Sequence, residues 1–313
     1  MLSYVLQRLG ATAIVMLLVS VLVFLLLRLA PGDPAAVIAG DNATPEQIAR
    51  LRQVLGLDDA LPIQFLRWLG QVLQGNLGVS IYSNEAVTSL IGQRAEATLS
   101  IALATLAIAI PLAIAMGVTA AYKAGTWVDR ALMLFAVAGF SLPAFVVGYL
   151  LVYVFAIQMQ IMPVQGYVPI AEGLGGWLHH LILPAITLGL IYTALIARIT
   201  RATMIEVLQE DFIRTARAKG VPMTQILLRH ALRNAGVPIA TVIGIGIALL
   251  IGGVVVTETV FNIPGIGRLV VDAIARRDYP VIQGVILVCS GIYVLLNLAT
   301  DLSYTLIDPR IRY

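Results

Sequence analysis

Five basic residues lie close together in the segment 206–235 of a chain that otherwise carries few charges. They are Arg214, Arg217, Lys219, Arg229 and Arg233, and Arg198 and Arg201 come shortly before them. Guanidinium and ammonium groups donate charge-assisted hydrogen bonds, so this cluster is suited to binding carboxylates of another molecule. The segment is therefore either a docking surface for an acidic partner or an ordinary basic loop beside a membrane.

No catalytic constellation accompanies these cations. The histidines at positions 179, 180 and 230 are the only ones, and no serine or set of metal ligands stands beside them at useful spacing. His179 and His180 are best explained as an interfacial pair before a membrane span. The Gly-x-x-x-x-Gly-Lys-Ser/Thr phosphate loop is also missing, so the chain cannot hydrolyse ATP by that route. The sequence predicts that the chain is not an enzyme and binds no metal or cofactor.

Two short helices are predicted to position the basic cluster. Gly220 suits the position after the end of a helix, and Pro222 suits the first turn of the next one. Apolar residues return at helical spacing on both sides of this break. They are Phe212, Ile213 and Ala216 in the first helix and Ile226, Leu227, His230 and Ala231 in the second. The segment 206–235, called the finger below, is thus predicted to be a helix–turn–helix with one apolar and one basic side, suited to a groove in a partner.

The stretch Arg-Thr-Ala-Arg-Ala-Lys-Gly at 214–220 resembles the loop of bacterial ABC-importer permeases that contacts the ATPase subunit. The general pattern of that loop is Glu-Ala-Ala, three residues, Gly, nine residues, then Ile-x-Leu-Pro. Ala216, Gly220 and Leu232 match it, whereas Arg214, Thr215, His230 and Arg233 depart from it. These departures resemble the form found in the dipeptide/oligopeptide/nickel permeases.

The same resemblance extends from the first span to the last residue. Further stretches that carry it are 29–34, 75–78, 197–202, 261–267, 277–279 and 307–313. The resemblance implies an importer with a second homologous permease, two ATPase subunits that hold ATP and Mg²⁺, and an extracytoplasmic binding protein. It also implies that residues 211–220 form the coupling helix. The coupling residues expected from it are Phe212, Ile213, Arg214, Thr215, Ala216, Arg217, Lys219 and Gly220. Arg214, Arg217 and Lys219 are expected to meet acidic groups of the ATPase, while Phe212, Ile213 and Ala216 fill its groove.

Composition places the chain in a membrane. Hydrophobic residues make up 59% of it and charged residues 12%, and the mean hydropathy is +0.93. Such values predict an all-α polytopic membrane protein, with residues 1–313 forming one transmembrane domain. About 20 apolar residues are needed for one span, and by that criterion roughly six spans are expected. They cover residues 9–29, 98–121, 131–157, 181–201, 237–257 and 282–303.

The distribution of Lys and Arg predicts the orientation. The segments that contain Arg8, Lys123, the finger and Arg310 fall on one side, whereas the loop 158–180 has no Lys or Arg. The positive-inside rule therefore predicts that both termini and the loop 202–235 are cytoplasmic. The resemblance implies that the membrane is a bacterial inner membrane. The loop 258–281 fits less well because it contains three arginines. Basic residues beside spans rather than on a polar domain give no support to nucleic-acid binding.

The extracytoplasmic segment 30–97 is too long for a simple turn. The run 31–34 stops the first span, and Thr44, Pro45 and Gln47 then form a predicted N-cap, first helical position and capping box. Gly56 ends this helix, and a second amphipathic helix begins near Pro62. The two helices are expected either to lie on the membrane surface or to help seat an outside partner.

The loop 258–281 contains a Gly/Pro-rich stretch that cannot be helical throughout. Such backbone survives at membrane depth only when it is buried in protein or lines a cavity. The stretch is interpreted either as an outer gate formed by Phe261, Pro264, Gly265 and Gly267, or as a plain connecting loop.

Two other classes of protein compete with an ATP-driven importer. A secondary transporter or channel would need ionisable groups deep in its spans, and the predicted spans have none near their centres. An intramembrane enzyme would need the catalytic groups that the chain lacks. The expected function is a permease for di- or oligopeptides, with glutathione or a nickel chelate as the alternative cargo.

Overall fold

The computed structural model describes residues 2–29, 35–36, 43–54 and 56–307. Among these residues the only β-feature is one isolated antiparallel bridge between Val79 and Ala86. The main helices in chain order are α1 (Leu2–Leu29), α2 (Pro45–Val54), α3 (Leu61–Leu73), α4 (Val87–Tyr122), α5 (Trp127–Ser141), α6 (Ala144–Leu151), α7 (Leu174–Val207), α8 (Asp211–Ala218), α9 (223–234), α10 (Gly236–Val260), α11 (Ile266–Arg276) and α12 (Tyr279–Ile307). The prediction of an all-α protein is confirmed.

Two of these helices contain π-helical stretches. Helix α6 continues through a π-helical turn at Val152–Gln158. Helix α9 consists of Met223–Gln225, a π-helical stretch at Ile226–Ala231 and a last turn at Leu232–Asn234. Insertions of this kind widen the helix locally and change the direction of the side chains that follow.

Five helices are long and apolar enough to cross a membrane, and a bent pair could supply a sixth crossing. The five regions are Gln7–Leu26, Val87–Tyr122, Leu174–Val207, Gly236–Val260 and Tyr279–Asp301. They coincide with five of the spans expected from the sequence. Helices α4 and α7, with 36 and 34 residues, are much longer than one crossing requires.

The third expected span, 131–157, is not one continuous helix. Helix α5 and the segment 144–158 meet at an angle of 104°. Pro143 has no N–H to donate to the preceding turn, and the residue before a proline is pushed toward extended backbone. Leu142 accordingly has φ −86° and ψ 131°, which ends α5. The apolar run alone gives no sign of this break, whereas Pro143 does.

The start of α2 agrees with the expected capping box. The backbone N–H of Gln47 donates to Thr44 Oγ1 over 3.3 Å, and the N–H of Thr44 donates to Gln47 Oε1 over 2.9 Å. Gly56, which was expected to end this helix, has a φ of 63°. Helix α3 begins at Leu61 and exposes Leu66 and Leu73 by 66% and 79%. The stop at 31–34 and the closing stretch 308–313 lie outside the described residues.

The chain divides into two compact units. One consists of residues 95–268 and those from 295 onward, and the other of residues 2–94 and 269–294. That the whole chain is one domain stays a prediction. In the first unit, an added Cβ at Gly117 of α4 would lie 2.5 Å from Thr200 Cβ and 2.8 Å from the carbonyl oxygen of Ala197, both in α7. The two helices therefore pack with their backbones almost in contact, which small residues permit.

Aromatic residues pack α1 against α3 within the second unit. The ring of Phe24 lies 5.4 Å from that of Phe65 and 5.7 Å from that of Trp68. Beside them, Arg28 Nη2 donates to Gln64 Oε1 over 2.8 Å. The exposed apolar side of α3 is thus held at a fixed place on the first span.

Candidate functional site

The finger is built around α8 and the turn that follows it. Helix α8 ends in two reverse hydrogen bonds, from Gly220 N–H to the Arg217 carbonyl (3.0 Å) and from Val221 N–H to the Ala216 carbonyl (3.1 Å). This is the Schellman arrangement, which needs left-handed backbone at the residue after the helix, and Gly220 has φ +76°. Because glycine adopts that conformation without strain, the chain can turn directly into α9.

The inner face of the finger is fixed to the ends of the long helices. Ile213 and Ile226 are 0% and 1% exposed. They belong to one apolar cluster together with residues of α4, α7 and α10. Its buried members are Val118, Ala121, Met204, Ile213, Ile226, Ala231, Ala235 and Ile239. Close packing of this kind makes the finger and three spans one mechanical body rather than a loop on a hinge.

The outer face of α8 carries an aromatic ring and the cations. Phe212 is 42% exposed, and Arg214, Thr215, Arg217 and Lys219 are exposed with it. The ion pair between Arg214 Nη1 and Asp211 Oδ1 spans 3.3 Å in solvent, where such pairs add little stability. These side chains are available to a partner.

The expectation that the apolar side of the finger fills a partner's groove therefore needs correction. Ile213 is fully buried and Ala216 packs against the same cluster, so neither side chain can enter a partner's groove. The reason is the spacing of three residues, which places both on the face that the finger turns to its own spans. Phe212 remains as the apolar contact among the three residues expected to fill that groove.

A buried ion pair that was not predicted from the sequence joins α5 to α7. Arg201 Nε lies 2.5 Å from Asp129 Oδ1, and Arg201 Nη2 lies 2.7 Å from Oδ2. The N–H of Gly125 adds a third hydrogen bond to the carboxylate over 2.9 Å. Asp129 is 3% exposed. A buried carboxylate is costly unless paired, and this bidentate pair satisfies it. The sequence contains one indication that Asp129 is unusual, because it is the only acidic residue between Glu96 and Glu172.

A second unusual region is the Pro-Gly turn, residues 258–268, which joins α10 to α11. The carboxylate of Glu258 is 0% exposed. Its Oε1 accepts from Thr98 Oγ1 over 2.6 Å, and its Oε2 accepts from the N–H of Arg268 over 2.9 Å. Thr98 Oγ1 in turn accepts from the N–H of Ile266 over 2.8 Å. Glu258 and Thr98 together thus bind the free N–H groups at the start of α11, where a negative charge is favoured.

Glycines make room for this carboxylate. An added Cβ at Gly265 would lie within covalent range of Glu258 Oε1, and one at Gly267 would lie 2.7 Å from the backbone Cα of Val255. Of the four residues expected to form an outer gate, Phe261, Gly265 and Gly267 are buried and Pro264 is exposed. The turn is thus irregular backbone enclosed by protein. Its role as a gate stays a prediction.

The loop between α6 and α7 is held to α4 by a polar network. Tyr167 Oη donates to Glu96 Oε1 over 2.9 Å and lies 3.1 Å from Ser100 Oγ. The N–H of Ile170 and Trp177 Nε1 add two further bonds to the same two acceptors. Burial raises the pKa of the Tyr167 hydroxyl, so it stays protonated and can keep donating. No group of three or more His, Cys, Asp or Glu suited to a metal occurs in the described parts of the chain.

Comparison with known proteins identifies the chain as similar to membrane components of transport systems. The model of a family described as "Binding-protein-dependent transport system inner membrane component" matches residues 109–313, and the model of the N-terminal part of such membrane components matches residues 1–102. A probable peptide ABC transporter permease of Sinorhizobium fredii is 56% identical over 310 residues, which are 99% of each chain.

Two further relatives are similar over the full length of both chains. A putative peptide transport system permease of Brucella abortus is 45% identical over 313 residues. A glutathione transport system permease of Salmonella paratyphi A is 44% identical over 313 residues. The similarity therefore includes the finger, the broken span and the Pro-Gly turn.

Proposed function

The chain belongs to the family of inner-membrane components of binding-protein-dependent transport systems, and on that basis we propose that it imports di- and oligopeptides with a finger that couples it to a separate ATPase. ATP and Mg²⁺ are held by two ATPase subunits, a second homologous permease completes the membrane part, and an extracytoplasmic binding protein delivers the cargo. The finger and both termini are cytoplasmic in this proposal, as the distribution of Lys and Arg predicts.

The observation that carries the proposal is the two-sided construction of α8. Its inner side is anchored by Ile213 among the ends of three spans. Its outer side offers Phe212, Arg214, Arg217 and Lys219 to another molecule. A push on the exposed side is transmitted to the spans without loss because the anchored side is densely packed. ATP-driven closure of the ATPases thereby moves the spans between inward-open and outward-open forms.

The test is co-purification and ATP-driven uptake with variants of the exposed face. In the Phe212→Ala variant we expect the ATPase subunits to be lost from the purified complex, while the permease itself stays folded because Phe212 is 42% exposed. Deletion of residues 212–219 is expected to remove the ATPase subunits from the complex completely. Uptake that persists without residues 212–219 would rule out the finger as the coupling element.

A matched control exists on the same finger. Leu228 in α9 is also a large exposed apolar residue, 62% exposed. Leu228→Ala removes a similar apolar area outside α8 and is expected to leave ATPase binding intact. If both variants lose the ATPase equally, the contact is not specific to α8.

Glutathione is the second candidate cargo, because one relative of similar length and 44% identity is named as a glutathione permease. The relative with 56% identity is named as a peptide permease, which favours peptides. Uptake by the reconstituted importer of a labelled dipeptide, in competition with unlabelled tripeptides or glutathione, separates the two. Competition by glutathione alone would overturn the assignment to peptides.

A further inference from the structure

A cavity of about 290 Å³ lies between α5 and α7 in the first unit. Its lining combines apolar and cationic side chains, among them Val137, Phe140, Ser141, Leu195, Arg198 and Arg201. The guanidinium of Arg198 stands 6.0 Å from the centre of the Phe140 ring. The cavity therefore offers an aromatic surface beside a positive charge, an arrangement suited to an organic anion.

The cavity lies at the break in the third expected span, and this position indicates whether lipid or a polar medium fills it. It reaches Ser141, the last residue of α5, where the bend of 104° occurs. Leu142, in the break itself, is 44% exposed, and the start of the next segment has no side-chain cap. Ser141 Oγ donates its hydrogen bond to the carbonyl oxygen of Val137, over 2.8 Å, and leaves the other carbonyls at the end of α5 without a bond from this hydroxyl. Exposed ends of this kind cannot face lipid, because hydrocarbon offers no hydrogen bonds, so they face water, cargo or protein.

The two arginines of the cavity differ in their charge balance. Arg201 is neutralised by its bidentate pair with Asp129. Arg198 is exposed, and among the described residues its only charged or aromatic contact is the Phe140 ring. The cavity thus keeps one positive charge that no carboxylate of this part of the chain balances. An ionisable residue in a membrane helix that faces a cavity marks a path for substrates or ions.

We propose that this cavity, here called the Phe140–Arg198 cavity, lies on the path of the cargo and that Arg198 binds the C-terminal carboxylate of a peptide in transit. The inference rests on the proposed function, since it takes a peptide as the cargo. Binding sites of membrane transporters are commonly bordered by discontinuous helices. Phe140 supports the apolar part of the peptide next to that carboxylate, and Arg201 positions α7 through its pair with Asp129 without binding cargo.

The first experiment tests whether the cavity holds water. In the assembled importer in nanodiscs, with Cys289→Ser as background, Ser141→Cys is treated with a hydrophilic thiol reagent. We expect labelling of the Ser141→Cys variant, because thiols react as thiolates in water. Glu172→Cys, in an exposed loop, is the positive control, and Leu22→Cys, 65% exposed on the apolar α1, is the control for a lipid-facing position. If Ser141→Cys labels no faster than Leu22→Cys, lipid or a partner covers the cavity and the proposal is wrong.

The second experiment tests the role of Arg198. Trialanine is expected to slow labelling of the Ser141→Cys variant at about tenfold lower concentration than trialanine amide, which lacks the carboxylate. Arg198→Gln should abolish this tenfold difference, and Arg198→Lys should keep part of it because the charge remains. Equal protection by both peptides in the unsubstituted Arg198 background would overturn the assignment.

Failure of this inference can be told apart from failure of the proposed function. If the complex with its natural Arg198 shows no ATP-driven peptide uptake, the proposed cargo itself is wrong. If uptake is normal and the Arg198→Gln variant still prefers trialanine to trialanine amide, the inference about Arg198 is wrong and the proposed function is unaffected.

Discussion

The finger and the Pro-Gly turn are both connections that follow a long helix, yet they are held by opposite kinds of contact. Ile213 holds the finger through apolar packing alone, with its side chain 0% exposed. Glu258 holds the turn through a carboxylate that is equally buried and accepts from Thr98 and from the backbone of Arg268. The first is a packed joint and the second is a hydrogen-bonded one.

The difference indicates what each joint can do. Apolar packing has no direction, so the finger resists compression while its neighbours adjust by small movements. A buried carboxylate is stable only while all of its donors are in place, because an unpaired one is very costly. The Pro-Gly turn is therefore expected to have one well-defined arrangement whose hydrogen bonds are lost together, whereas the finger is expected to move with the spans against which it packs.

The sharpest test of the packed joint is Ile213→Ala. The substitution leaves a cavity beside Met204 and Ile226, and we expect it to lower the free energy of unfolding by about 4 kcal/mol. Thermal unfolding of the purified permease in detergent measures the effect. Phe212→Ala, the neighbour on the exposed side, should change stability little. Equal losses in the two variants would contradict the inward orientation of Ile213.

Next in size is Gly267→Ala in the Pro-Gly turn. The new Cβ would lie 2.7 Å from the backbone of Val255 and 2.9 Å from Glu258 Oε2. Because backbone cannot yield as a side chain does, we expect a loss of about 3 kcal/mol in the same assay. Gly252→Ala in α10 is the control, since no atom lies within 4 Å of its added Cβ. If Gly267→Ala lowers the free energy of unfolding no more than Gly252→Ala does, the turn is not packed as described.

Thr98→Val tests the hydrogen-bonded joint with almost no change in volume. It removes the donor to Glu258 Oε1 and leaves the N–H of Ile266 without its acceptor. Loss of these bonds should cost about 2 kcal/mol in the free energy of unfolding. Thr98→Ser, which retains the hydroxyl, should recover most of it. If valine is tolerated as well as serine, packing rather than hydrogen bonding holds the turn.

The smallest expected effect concerns the turn of the finger. Gly220→Ala places a side chain at φ +76°, which should cost about 1 kcal/mol through backbone strain alone, since nothing lies within 4 Å of the added Cβ. Gly220→Asn should cost less, because asparagine adopts left-handed backbone more readily. ATPase binding is the second measurement, and an unchanged Tm in Gly220→Ala would argue against the Schellman end of α8.

Local features of the molecule were predictable from the sequence. The capping box at Thr44, the positive φ of Gly220 and five of the spans follow from patterns within about 20 residues. Even the break in the third span has a local cause in Pro143, although the strong apolar run around it masks the signal.

The contacts that fix the two joints were not predictable in the same way. Thr98 and Glu258 are 160 positions apart, and Asp129 and Arg201 are 72 apart. Asp129 stands out as the only acid between Glu96 and Glu172, but the partner of each of these residues is determined by how distant helices pack. The prediction that Ile213 contacts the partner was wrong for a related reason. Amphipathic spacing shows that a helix has an apolar side, but it does not show whether the same chain or another protein covers that side.

The length of α7 has a mechanical consequence. Its 34 residues correspond to about 50 Å at 1.5 Å per residue, against a hydrocarbon thickness of about 30 Å. The helix is therefore roughly 20 Å longer than one crossing needs, and the finger begins at its C-terminal end. A tilt of α7 by about 5° about its N-terminal end moves its C-terminal end by roughly 4 Å. A small displacement of the finger thus corresponds to a small rotation of α7.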